Sequence, residues 1–388
     1  MYQIHKTKTI LNTHKNVDGG WFWDKYSAFP YMGCEWGCSY CYCRDEKYNP
    51  YHASRDKEAL KFDDAFSQYI KVKENAPDLL KKALINKPKD LVYLDNYQPI
   101  DSQYHYARKM LEVCLELGFP VFVNEKSPML LQDLNILKKI NKNSYLNVGW
   151  SIITTKDDET RLLFEPKAPA TSSRFEAMRK LVESEIFTGT VFMPILPFVF
   201  DSEENIEAVV RKTKESGGKY VLEGGLTLGG YSKTFFYETL RKYNSSLVRK
   251  YDELYGNQNM FAQYMVKNHN LVLKYCQMYG LLHYIPRPVS YYPEKLQMNR
   301  KIAETFYLEA RELQLSNSGG FKEWAYRKAA WSLDHLEENV ETIFQTKGFI
   351  GLLGIPCIGE SLAKQIERFL KGGSKNYLNA VQVWNNRL

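Results

Sequence analysis

Between residues 69 and 228 short apolar runs alternate with stretches of helical periodicity, and this alternation constrains the fold more than any other feature of the chain. IKVK passes into a helix opening near Pro77, and DLVYLD precedes a helix predicted over Ser102–Leu117. PVFVNEK leads to Met129–Ile140, YLNVGWSII to Ser172–Glu183, and TGTVFMPILP to Glu203–Glu215, before KYVLEGGLTL closes the series. Short apolar strands separated by amphipathic helices read as parallel βαβ units. Six or so such units make a partial or full (β/α) barrel or an open doubly wound sheet, and no GxGxxG fingerprint selects the latter. In either geometry function collects at the C-terminal ends of the strands, so the residues leaving each strand carry the functional reading.

A second feature is chemical. Gly33 to Arg44 reads GCEWGCSYCYCR and places Cys34, Cys38, Cys41 and Cys43 within ten residues. Thiols so close in sequence point in different directions from a helix or strand, so a loop around a metal centre is expected. A closed zinc site usually draws on two separated CxxC pairs, and no second pair exists here. A structural zinc knot completed by Cys43, or buried cysteines without metal, remain as alternatives. CxxxCxxC suits a [4Fe-4S] cluster with one iron left open to a cofactor.

Cys34, Cys38 and Cys41 resemble the radical SAM signature, and the flanks FPYMGCEWGCSYCYCR resemble the spore photoproduct lyase-like branch of that superfamily. The resemblance covers about residues 25 to 230. It implies an α/β fold, a partial (β/α)6 TIM-like barrel of the radical SAM type, with a [4Fe-4S] cluster on the three cysteines and S-adenosyl-L-methionine on the open iron. It further places the Tyr40 backbone near the adenine. Lys126 and Ser127 after PVFVNE, Ser151 in VGWSIITT, and Arg174 with Glu165 in the EPKAP…R run are implied at the cofactor. The strand exit DNYQPID resembles a D-x-Y-Q-P-[ED] stretch of the branch, and Asp95, Tyr97, Gln98 and Asp101 are taken as substrate contacts; helix capping is the competing role for Asp101. MPILP and the glycines Gly224 and Gly225 would let backbone approach the cofactor. Tyr42 matches a radical-relay tyrosine. The lyases' hydrogen-donating cysteine corresponds to Val92, so Cys43 is the second candidate donor here.

Composition bounds the rest. At 388 residues two or three domains are expected, and the apolar content suffices for full cores. No apolar run approaches a membrane span and the N-terminus has no secretory h-region, so a cytoplasmic protein without membrane contact is expected. Clustered cysteines fit a reducing compartment, and an electron donor such as flavodoxin or ferredoxin is the expected redox partner. Residues 1 to 230 hold 31 basic and 31 acidic side chains, and 231 to 388 hold 21 and 14, so the net +7 lies wholly in the C-terminal part. A basic appendage on a neutral core fits a polyanionic partner.

The division expected is 1–230 for the radical SAM core, 231–296 for a helical linker region ending in the proline-rich IPRPVSYYPEK, and 297–388 for an all-α domain. FKEWAYRKAAWSL and the hairpin LLGIPCIGESLAKQI resemble the N-terminal helical domain of family X DNA polymerases. The hairpin reads as a helix-hairpin-helix whose Gly354, Ile358, Gly359, Ser361 and Lys364 would meet a DNA phosphate through backbone N–H groups at a helix start. Cys357 replaces the hairpin's usual first glycine, and Gln365 replaces the Schiff-base lysine of the polymerase lyase domains. Lys364 lies about 100° around the helix from it. The function expected is a radical SAM enzyme acting on nucleic acid, in DNA lesion repair. The rivals are radical SAM modification of RNA or protein, and a non-catalytic DNA-binding protein with a structural metal centre.

Overall fold

The computed structural model describes residues 1–48, 57–95 and 97–372. The chain forms two compact units, Met1–Met260 with Leu271–Ile285, and Phe261–Asn270 with Pro286–Leu388. Among the described residues the strands are β1 (Tyr2–His5), β2 (Leu11–Thr13), β3 (Tyr26–Ala28), β4 (Tyr31–Met32), β5 (Ile70–Lys73), β6 (Val92–Leu94), β7 (Val121–Glu125), β8 (Leu146–Ser151), β9 (Phe187–Ile195) and β10 (Val221–Gly225). The helices are α1 (Ala65–Gln68), α2 (Ala76–Leu84), α3 (Asp101–Tyr104), α4 (Tyr106–Leu117), α5 (Leu134–Asn143), α6 (Glu159–Phe164), α7 (Thr171–Glu183), α8 (Glu203–Glu215), α9 (Gly230–Asn244), α10 (Leu247–Gly256), α11 (Gln258–Tyr279), α12 (Glu294–Leu315), α13 (Gly320–His335), α14 (Val340–Leu353) and α15 over 360–372.

The first unit is built on a seven-stranded sheet in the order β10-β9-β8-β7-β6-β3-β2. β3, β6, β7, β8, β9 and β10 run parallel in chain order, and β2 joins β3 antiparallel at one edge. This is the six-stranded α/β arrangement expected, with one exchange. The expected first strand, IKVK, is β5 and belongs to a separate three-stranded sheet, β1-β5-β4. The first barrel strand is instead Tyr26–Ala28, inside the N-terminal aromatic cluster.

Every residue of β8 is buried, as expected of a strand covered on both faces. α8 forms over the predicted span because Ser202 accepts the Asn205 N–H at 3.2 Å and Ile206, Val209, Val210 and Thr213 recur on one buried face. Glu203 and Glu204 start this helix and Lys212 and Lys214 end it, matching its dipole. The helix predicted over Ser102–Leu117 is instead two, α3 and α4, because His105 adopts φ 53° between them. No helix among the described residues is long and apolar enough to cross a membrane.

In the second unit α12 packs on α13, where Phe306 meets Tyr326 edge-on at 5.5 Å and Ile302, Tyr307, Ala330 and Leu333 are buried. Asp334 is held by Arg287 at 2.7 Å, Arg300 at 3.0 Å and the Tyr307 hydroxyl at 2.8 Å. α14 breaks at Gly348 (φ 61°), and the hairpin 354–359 then turns the chain into α15. The last residues of the expected 297–388 domain, 373–388, lie outside the described ones.

Candidate metal and cofactor site

All six parallel strands end at one edge of the sheet, and the cysteine loop lies there. Gly33 opens it at φ 87°, where a Cβ would stand 2.7 Å from the Phe66 carbonyl, so only glycine lets the chain pass. Five further contacts fix the loop: Cys34 N–H to Phe66 O at 2.9 Å, Glu35 N–H to Gln98 Oε1 at 2.9 Å, Gln98 Nε2 to Gly33 O at 3.3 Å, Trp36 Nε1 to Tyr97 O at 3.2 Å, and Ser39 N–H to Phe164 O at 2.9 Å.

The four thiols carry no disulfide. Burial pushes the Cys34 thiol far up, and the neighbouring Cys38 and Cys41 push it further. Cys38 is raised to about 11, chiefly by burial, with Lys126 and Arg174 pulling the other way. Cys41 is lowered to about 7 by a hydrogen bond with Cys43 that outweighs burial. Buried thiols gathered in one loop, with Cys34 and Cys38 pushed up by burial and by neighbouring cysteines, are a donor set that a cationic centre relieves, because a coordinated thiol is deprotonated outright. Among the described residues no three His, Cys, Asp or Glu side chains converge on a point fit for one ion. A [4Fe-4S] cluster places its thiolates on separate irons, so convergence on one point is not what it requires. Cys34, Cys38 and Cys41 therefore fit such a cluster by donor chemistry.

Beside the loop, the exits of β7 and β8 meet the start of α7. The Lys126 ammonium bonds the Ser151 hydroxyl, stands 3.5 Å from Glu165 and lies 5.6 Å from the centre of the Tyr40 ring. Fully buried Arg174 donates to Ser151 O at 2.8 Å, Pro169 O at 2.7 Å and Glu165 Oε2 at 2.5 Å. Tyr40 donates its hydroxyl to the same carboxylate. Burial alone would raise the Glu165 carboxyl, but Arg174 and Lys126, with hydrogen bonds from Arg174 and Tyr40, hold it at about 2. Arg161 is shared between Glu165 at 3.4 Å and Asp157 at 3.2 Å. Arg174 and Arg161 are spent on Glu165 and Asp157, and Lys126, whose field also reaches Asp95, is the most accessible of the three cations to an anionic ligand group.

Tyr40, Lys126, Ser151 and Arg174 thus lie together with the cysteines, joined by Glu165, whose central place only long-range contacts disclose. Ser127 is buried and spends its hydroxyl on the Met129 N–H at 3.3 Å, opening the 3-10 turn Pro128–Asp133. Tyr97 and Gln98 are buried and act as braces: the Tyr97 hydroxyl binds Asp133 at 2.8 Å, and its N–H binds Glu125 at 2.8 Å. Asp101 is buried and accepts the Tyr31 hydroxyl at 2.5 Å and the Ala107 N–H at 2.9 Å. Asp95 is exposed, and crowding by protein pushes its carboxyl up to about 6 against the pull of Lys126 and a hydrogen bond from Tyr93. Tyr42 is half exposed and packs edge-on against Tyr48 at 5.3 Å. Val92 is fully buried in the apolar core, and Tyr93, on the opposite strand face, stacks on Phe22 and Phe122 at 5.7 and 5.5 Å. Tyr93 went unmarked in the sequence, although strand alternation from Val92 was a signal that could have found it.

In the second unit Gly354, Gly359, Ser361 and Lys364 are exposed and Ile358 is buried. Cys357 takes φ 61°, the backbone form a glycine adopts most easily. Lys364 pairs with Glu360 at 2.5 Å, and the Gln365 amide bonds the Tyr326 hydroxyl at 3.1 Å.

Residues 297–375 match the model of a helix-hairpin-helix domain. An uncharacterized protein of Methanocaldococcus jannaschii is 26% identical over 258 residues, covering 64% of this chain and 86% of its own length. A radical SAM Nalpha-GlyT isomerase of Pseudomonas phage M6 is 21% identical over 289 residues, covering 68% of this chain and 57% of its own length. Among solved structures, a tyrosine-to-phenylalanine mutant of spore photoproduct lyase aligns with a TM-score of 0.50 and 13% identity over 74% of this chain and 82% of the lyase. Another mutant of that lyase aligns at 0.45, and there the chain covers 66% of the lyase, just under two thirds. The chain shares the α/β fold of spore photoproduct lyase, and its C-terminal helical region matches a helix-hairpin-helix domain.

Proposed function

We propose that the chain is a radical SAM enzyme that acts on nucleic acid, with damaged DNA as its substrate class. The observation that carries this reading is the three-cysteine loop set beside Lys126, Ser151 and the buried Arg174–Glu165 pair at the C-terminal strand ends. Cys34, Cys38 and Cys41 would hold a [4Fe-4S] cluster, and Lys126 and Ser151 would hold the carboxylate of S-adenosylmethionine, with Arg174 fixing Ser151 and Glu165 behind them. Together these groups would supply radical chemistry driven by one electron from an external reductant. Glu165 fixes both cations, and Tyr40 holds Glu165 from the cysteine loop. Incubation of reduced, iron-reconstituted protein with S-adenosylmethionine should give 5'-deoxyadenosine, and irradiated DNA should yield product where undamaged DNA and RNA do not. Absence of 5'-deoxyadenosine sinks the radical reading, and product on RNA alone moves the substrate class.

The solved relative is named for acting on a photoproduct, the phage relative is named a radical SAM isomerase, and the matched helix-hairpin-helix domain would add a module suited to phosphate contact. Reaching a base from the barrel requires its extrusion from the stack, which is cheapest at damaged positions. Ser361 is exposed at the start of α15, so Ser361→Glu leaves the helix intact while setting a carboxylate where a phosphate would lie. Duplex affinity in the full chain should fall roughly tenfold, with a shallower salt dependence. Equal affinity at low and moderate salt would remove DNA contact from the hairpin.

Tyr42 is proposed to return hydrogen to the product radical through its hydroxyl. Tyr42→Phe keeps the ring and removes only that group. It should still form 5'-deoxyadenosine but give less product per cofactor consumed. An unchanged ratio leaves Tyr42 as a packing aromatic.

A further inference from the structure

Arg44, one residue past the last cysteine of the loop, is 0% exposed. Its Nε donates to the Cys38 carbonyl at 2.9 Å, and its backbone N–H donates to the Cys41 carbonyl at 3.2 Å. Its Nη1 and Nη2 reach the two Asp64 oxygens at 2.6 and 3.1 Å. The guanidinium carbon lies 4.8 Å from the Phe66 ring centre and 3.8 Å from that of Phe235 on α9. One side chain thus joins the loop, the segment around α1, and the helix that follows the last barrel strand. Removing a cation from water costs several kcal/mol, and an apolar residue would wedge the loop at lower cost. Arginine differs in two respects: a plane that fits between two rings with directed N–H groups, and a fixed charge.

We propose that Arg44 is a positioning residue for the metal centre, fixing the Cys38–Cys41 segment and, through its charge, setting how readily the centre accepts an electron. This rests on the assignment of Cys34, Cys38 and Cys41 as cluster ligands. Arg44 touches the cysteine backbone directly and Asp64 lies behind it, so the ion pair presents its positive end to the thiolates. A cation so placed stabilises the reduced, more negative centre, and the carboxylate behind it weakens that effect.

The two partners therefore have opposite signatures. Full-length wild type, Arg44→Lys, Arg44→Met and Asp64→Asn are reconstituted with iron and sulfide, and each is assayed for iron and for midpoint potential by electron paramagnetic resonance. Arg44→Met should shift the reduction equilibrium at least tenfold toward the oxidised state, about 59 mV for one electron. Asp64→Asn should shift it toward the reduced state. Arg44→Lys should hold the potential near wild type while retaining less iron, because the ammonium keeps the charge without the plane. Shifts of the same sign in Arg44→Met and Asp64→Asn, or none in either, overturn the proposal. If Arg44→Met fails to load iron, Asp64→Asn decides: a shift toward reduction upholds the proposal and an unmoved potential overturns it. Wild type that binds no iron overturns the cluster assignment itself, an outcome distinct from iron-loaded variants with unmoved potentials.

Discussion

Replacing any one of Cys34, Cys38 and Cys41 by alanine is expected to lower bound iron from about four per chain to near zero, with loss of the charge-transfer absorbance of the cluster. Cys43→Ala is expected to keep the iron. Cys43 is two residues further on and its visible role is a hydrogen bond to Cys41, so its removal alters the environment of one ligand without subtracting a ligand. Iron analysis and absorbance of the four anaerobically reconstituted variants distinguish these outcomes. One bound zinc, with Cys43 as essential as the others, would replace the cluster by a closed four-thiolate site.

Glu165→Gln is expected to be the most destabilising single change near the site. Glutamine preserves shape but leaves Arg174, fully buried, without its counter-charge, and breaking a buried pair in this way costs roughly 3–5 kcal/mol. The same carboxylate makes stability depend on pH. Its ordinary value is 4.5 and its folded value about 2, so its contribution is complete above 4.5 and is lost as pH falls through 2. That difference corresponds to stability on the order of 3 kcal/mol at neutral pH. Urea titrations at pH 7, 4 and 3 should show wild type losing more stability than Glu165→Gln over this acid window. Parallel loss in both proteins would show that Glu165 is not held low by Arg174 and Lys126.

Local signals made much of this architecture legible, and partner choice was where they ended. α8 agrees with its predicted span because cap, apolar period and charge order coincide over Glu203–Glu215. IKVK is a strand as read, but a strand pattern names no neighbour, and β5 pairs with β1 and β4 rather than with the barrel. β3 escaped notice because three residues, Tyr26–Ala28, are too few for a period of two to register among aromatics. The cysteine spacing was legible because one loop contains it. The braces were not: Tyr97 and Gln98 stand at a strand exit, where polar residues suggest contact with ligand, yet their bonds run back to the cysteine loop and to Glu125 and Asp133. Glu165 was visible as part of a motif, while its linkage of Tyr40, Lys126 and Arg174 spans separations of up to 125 residues that no local window joins.

The six parallel strands end at β10 on one side and, beyond β2, at an unpaired edge on the other, so the described strands form an incomplete wall. A closed eight-stranded ring admits a ligand only from above its rim, and a polymer can offer such a rim little more than a terminus or a sharply bent loop. In this chain the interruption is bridged near the strand starts: Leu282 pairs with Tyr220 just before β10, and the Ile285 carbonyl accepts the Trp23 indole N–H just before β3, so coil rather than an added strand joins the two flanks there.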